Sequence, residues 1–171
     1  MRMKLLILMV KKISLLMHLL GGFFLVAMML ITLLDVVTRG LFGLTEGRLD
    51  ITVTGGIELV KYSLLFSILF ILPYSVNRSQ VVVDLFTNHL SERKKAFLEA
   101  IYFVGFALLG IAMSYGFYHL VGEAAMSYET TQDLLIPMTY FYAIASFATF
   151  MLAISAIVST FELITHKKSV L

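Results

Sequence analysis

The 171-residue sequence contains no cysteine, no tryptophan and only two prolines, and just 14% of its residues are charged. Without cysteine there is no disulfide framework, no thiolate-ligated zinc, no iron–sulfur cluster and no cysteine nucleophile. The charge content lies well below the roughly 25% usual in soluble domains. Against it stand 60% hydrophobic residues and a mean hydropathy of +0.94. A soluble chain of this balance could not cover its own surface, so an integral membrane protein is expected. Phosphate-binding glycine loops, H-E-x-x-H and the nucleophile elbow are missing as well. The sequence therefore points to no enzyme, no cofactor, no metal and no nucleic-acid partner.

A helix needs about 20 apolar residues to cross a hydrocarbon core of roughly 30 Å. Residues 13–34, 100–122 and 134–161 satisfy this, and 56–76 does so with Glu58 and Lys61 close to an interface. The expected fold class is all-α integral membrane, with four transmembrane helices in a single membrane domain over 1–171. The first twelve residues are expected to form a basic lead-in at the membrane surface. The run "LLILMV" before Lys11 and Lys12 is too short for a signal-peptide core, and no A-x-A cleavage site follows. Of 13 basic residues, all but Arg39, Arg48 and Lys61 fall in the N-terminal lead-in, the loop after span two or the C-terminus. By the positive-inside rule both termini are cytoplasmic. In the absence of tryptophan the interfacial aromatic belt falls to tyrosine and phenylalanine: Tyr62, Tyr74, Tyr102, Tyr118 and Tyr140 all lie near span ends.

The segment "NRSQVVVDLFTNHLSERKK" joins spans two and three. On a helix from Val81 to Leu90, Val81, Val82, Val83, Leu85, Phe86 and Leu90 share a broad apolar arc, with Asp84, Thr87 and Asn88 opposite. A short amphipathic helix in the membrane plane, following Arg78, is the natural reading. A lone valine-rich strand would leave backbone groups unpaired beside lipid.

Four charged groups gather at the expected outer side. Asp35 precedes Arg39 by four residues, acid before base, the favourable order on a helix. Glu58 and Lys61 enter the next span from the same side and are three apart. These four could converge as a structural clasp, merely mark the interface, or bind a solute or proton. Charges held at membrane depth are normally paired and face protein or water, which favours the clasp. The histidines raise haem, but His18 and His119 fall at opposite depths, roughly 18 Å apart by helix rise, while His89 and His166 lie outside the core. Small residues recur four apart at Ala112 and Gly116, and at Ala145, Thr149 and Ala153, a pattern that lets helices approach closely. The span centres carry no charge, and Pro73 lies near the cytoplasmic end of span two. A transporter acting alone needs a polar midplane site and broken helices. The chain reads as an accessory subunit. The alternatives are a small self-associating four-helix exporter relying on Glu58, or the membrane anchor of a haem or quinone enzyme.

Four spans with cytoplasmic ends, Asp-x-x-x-Arg closing the first, a glutamate opening the second and a "V-D-L" element after it resemble the small membrane subunit, DctQ type, of TRAP transporters. The resemblance covers roughly residues 13–165, and Asp35, Arg39, Glu58, Arg78 and Asp84 match its pattern. The chain departs from it at Gln80 and Val81, where a His-Ile pair is common, and at Gly40, where an aromatic is common. A tryptophan often found before the glutamate is absent too. The resemblance implies a non-catalytic subunit of a sodium-coupled organic-acid importer in the bacterial inner membrane. Its implied partners are a large multi-span subunit, a periplasmic substrate-binding protein engaged transiently, and membrane lipids.

Overall fold

In a computed structural model, which describes residues 2–46, 48, 51, 54–78 and 92–168, the chain forms four long helices. They are α1 (Arg2–Leu44), α2 (Gly56–Arg78), α3 (Glu92–Ser127) and α4 (Met138–Lys168). All four are long and apolar enough to cross a membrane. The segment 81–90, read above as an interfacial helix, lies outside the described residues.

The helices run past the spans counted from hydropathy. The basic lead-in is helical and continuous with the first span, since α1 runs through it without a break from Arg2. Leucine, methionine and lysine are strong helix formers, and no proline interrupts them. At about 1.5 Å per residue its 43 residues reach roughly 64 Å, twice a hydrocarbon core. The uncharged middle, 13–34, is the part that matches bilayer thickness. The fourth helix starts at Met138 rather than at 134, since Pro137 closes a loop and its neighbours are committed to other contacts.

Helix α4 is the hub. At 100° per residue its Ser146, Thr149 and Ala153 face α3, and Ala145 and Leu152 face α2. Met151, Ser155 and Glu162 point toward α1. Helices α2 and α3 flank α4, and α1, which packs chiefly on α2, reaches it only at these residues, while Tyr140, Phe147, Phe150, Ile157 and Phe161 stay exposed on its free side. Met17, Leu69, Ala145, Ala148 and Met151 form one core cluster, and Val76, Phe103, Ala107, Leu152 and Ala156 a second.

The contacts at the small residues are unusually close. A Cβ on Gly110 would lie 2.7 Å from Ala153 N and 2.9 Å from Thr149 O. Here α3 and α4 touch backbone to backbone, flanked by Ser114 and Ser146, whose hydroxyls each donate to the other's carbonyl at 3.1 Å. The stripe expected on α4 is buried at Ala145, Thr149 and Ala153. That expected at Ala112 and Gly116 is not: both are exposed, and nothing approaches within 4 Å of a Cβ built on Gly116. Gly110 takes that role because it shares a face with Phe103 and Ala107, the residues that face the core.

At the end carrying both chain termini, α1 and α4 are tied by Lys11 Nζ to Glu162 Oε1 at 2.6 Å and by Ser14 Oγ to Ser155 Oγ at 2.8 Å. The ion pair is largely solvent-exposed and contributes at most about 1 kcal/mol. The serine pair is fully buried, and hydrogen bonds of this kind between membrane helices contribute about 0.6–1.7 kcal/mol.

Candidate functional site

The most heavily engaged charged group is Glu58, in the first turn of α2. Although it carries a carboxylate, the residue is only 9% exposed. Its partners are backbone amides. Gln132 N donates to Oε1 at 2.5 Å, Asp133 N to Oε1 at 3.0 Å and Leu134 N to Oε2 at 3.1 Å. Three successive N–H groups aimed at one anion form a concave nest, and hydrogen bonds to a charged acceptor are roughly twice as strong as neutral ones.

The loop that supplies them is built for this. Helix α3 ends at Ser127, and Tyr128 takes the left-handed conformation (φ 52°) that reverses the chain. Thr130 and Pro137 then pair as an isolated antiparallel bridge, with Thr131 N donating to Ile136 O and Met138 N to Glu129 O, both at 2.9 Å. The buried Thr131 hydroxyl accepts from Ile136 N at 3.2 Å. Leu135, at φ 54°, completes the turn of a short tongue whose tip lies on Glu58. On the receiving side Gly55 has φ 74°, and a Cβ there would meet Leu134 Cγ at 2.7 Å. Only glycine fits both demands. Tyr62 braces the same junction, its hydroxyl 3.3 Å from Met138 Sδ and its ring 4.1 Å from that of Phe141.

The four charged residues singled out in the sequence therefore divide. Asp35 and Arg39 pair along α1, Oδ2 to Nε at 2.9 Å, as the i,i+4 spacing predicts. Glu58 engages the tongue, and Lys61 Nζ lies 5.2 Å from the centroid of the Tyr62 ring. Among the described residues no ion pair joins Asp35 and Arg39 to Glu58 and Lys61. Arg78 closes α2, and Asp84 and Phe86 lie outside the described residues. His18 packs against Tyr74, ring centroids 4.6 Å apart, and His119 hydrogen-bonds the Tyr115 hydroxyl at 3.1 Å.

Sequence reasoning did not find the tongue, because backbone amides carry no residue-type signal. The one hint was Gly55 beside Gly56, directly before the glutamate. The Asp35–Arg39 pair leaves Arg39 59% exposed and Asp35 21%. In the isolated chain Asp35→Ala should therefore cost no more than about 1 kcal/mol, checked by thermal unfolding in detergent.

Four helices long and apolar enough to cross a membrane, with a loop anchored on Glu58 at one end, define a multi-pass membrane protein. Residues 28–166 match the family described as "Tripartite ATP-independent periplasmic transporters, DctQ component". The match extends over most of the chain, and the protein belongs to this family: it is a small, non-catalytic component of a TRAP transporter. No curated protein and no solved structure matches the chain.

Proposed function

We propose that the chain is the scaffolding subunit of a sodium-coupled importer of organic acids in a bacterial inner membrane. It anchors the static part of a large multi-span subunit, to which a periplasmic binding protein delivers the solute. The family match carries this reading. The distribution of burial supports it: in the most apolar window of α1 only 6% of residues are buried inside the chain, against 44% in α4. A helix so long and so little covered offers a broad apolar face to a partner. The excess of basic residues at the end carrying the termini supports a cytoplasmic position for both of them.

In this reading Asp35 and Arg39 meet the large subunit as a pair and become desolvated on assembly. Removing one partner of a buried pair strands the other, at about 3–5 kcal/mol. Asp35→Ala should thus weaken the complex far more than the isolated chain. Equal losses in both would make the pair a mere interface marker. Glu58, with both oxygens occupied by the tongue, acts as an anchor within the subunit and not as a coupling carboxylate.

The deciding experiment is extraction of a tagged chain from native membranes in mild detergent, with measurement of particle mass and composition. A one-to-one complex with a large multi-span protein is the expected result, together with no uptake by the subunit alone in liposomes. A homodimer of this chain, or uptake by it alone, would overturn the reading.

A further inference from the structure

Helix α2 stops short of its neighbours. His18 packs on Tyr74, and Gly21 on Ile71. The antiparallel register of α1 and α2 therefore sets Arg78, the last residue of α2, level with Ser14. Ser14 in turn pairs with Ser155 of α4. Ser114 faces Ser146 and Gly110 faces Thr149, which carries the same level to about Gly105 of α3. Beyond this level α1 runs on to Arg2, α4 to Lys168 and α3 to Glu92. Each continues for about 12–13 residues, or about 18–20 Å. On α4 the face toward α2 lies between the faces toward α1 and α3. The three helices thus wall, on three sides, a notch whose floor is the end of α2.

The walls stay apolar past the membrane surface. Lys11 and Glu162, a largely solvent-exposed pair, mark that surface on α1 and α4. Ile7 and Val10 continue the α2-facing side of α1 beyond the mark, and Leu163 does the same on α4. Apolar surface outside the hydrocarbon core is unfavourable unless something covers it. The connection between α2 and α3, residues 79–91, starts on the floor of the notch at Arg78 and ends at its rim at Glu92. Its sequence offers Val81, Val82, Val83, Leu85, Phe86 and Leu90 on one arc of a helix. A ten-residue helix over 81–90 is about 15 Å long, and the three remaining residues extend at most about 10 Å. The rise of about 18 Å from floor to rim takes up most of that reach. Little slack is left for the connection to lie out on the bilayer beyond the walls.

From this we infer that the 79–91 connection is the occupant of the notch. Its apolar arc docks on Ile7 and Val10 of α1 and on Leu163 of α4, and Asp84, Thr87 and Asn88 face outward. Attachment at both floor and rim favours it over any other protein segment, because a short tether holds its cargo at an effective concentration on the order of mM. Docked there, the connection fastens the ends of α1, α3 and α4 at a height that α2 does not reach.

The sequence contains no cysteine, so pairs of introduced cysteines report without background. Two pairs, Phe86→Cys with Val10→Cys and Phe86→Cys with Leu163→Cys, are oxidised mildly in the full chain in native membranes, with whatever partner it retains. At least one pair should close a disulfide within the chain, at a yield at least about fivefold above that of Asn88→Cys combined with the same wall residue. Equal yields from the two arcs would overturn the docking. Bonds formed only between chains would do so too, and would make the notch a seat for a second copy. Hydrogen exchange tests the same contact without cysteines. Val10→Asp should speed exchange of the 82–86 amides at least about tenfold, while the amides of Gln132, Asp133 and Leu134 keep their protection. Unchanged exchange at 82–86 would refute the contact. A phosphatidylglycerol with a photoreactive acyl chain decides against the bilayer as the alternative cover: it should label the 81–90 peptide far less than the exposed Leu108 of α3. Equal labelling would place the apolar arc in lipid and overturn the inference.

Discussion

Replacing Glu58 with alanine should release the 130–137 tongue from α2. Three successive amides, those of Gln132, Asp133 and Leu134, would lose their acceptor at once. Hydrogen bonds to a charged acceptor contribute about 1.5–3 kcal/mol each, against about 1 kcal/mol for a neutral pair, and three are lost together. Hydrogen exchange reads this directly: protection of those three amides should fall at least about tenfold, while amides in the middle of α4 keep theirs. Glu58→Gln separates charge from shape. The glutamine keeps one carbonyl oxygen, but its NH₂ group faces an N–H where Oε2 was. The Leu134 amide should therefore lose protection before the other two. Unchanged exchange at all three in Glu58→Ala would show that the tongue holds itself through the Thr130–Pro137 bridge and needs no anchor.

The second large effect is expected at Gly110. A methyl group there has nowhere to go, because its neighbours are the backbone of Thr149 and Ala153 and not the ends of flexible side chains. Gly110→Ala should cost about 1–3 kcal/mol, the usual range for overpacking, and Gly110→Leu should part α3 from α4 altogether. Gly116→Ala is the matched control. It lies on the same helix but meets nothing within 4 Å, so the better helix propensity of alanine should leave stability unchanged or raised by up to about 1 kcal/mol. Thermal unfolding in detergent ranks the three. If Gly110→Ala unfolded like Gly116→Ala, the close α3–α4 contact would be refuted.

The contrast between these two glycines shows what the sequence could disclose. The number of spans was readable because bilayer thickness sets a length that composition must meet. The pairing of Asp35 with Arg39 was readable because helix geometry alone places residues four apart side by side. Which small residue faces a neighbour was not readable, since the helices are apolar on every side and no polar stripe marks an outside. Gly110 and Gly116 look alike until α4 is in place. The role of Glu58 was half readable. A carboxylate entering a membrane span demands compensation, and that much follows from its position. Its partners lie 74 to 76 residues away, and they are main-chain groups of a turn that includes a left-handed leucine, Leu135.

Because its neighbours leave one side of α4 bare, Tyr140, Phe147, Phe150, Ile157 and Phe161 present an apolar strip along it. In a bilayer such a strip can be met only by lipid tails or by another apolar protein surface.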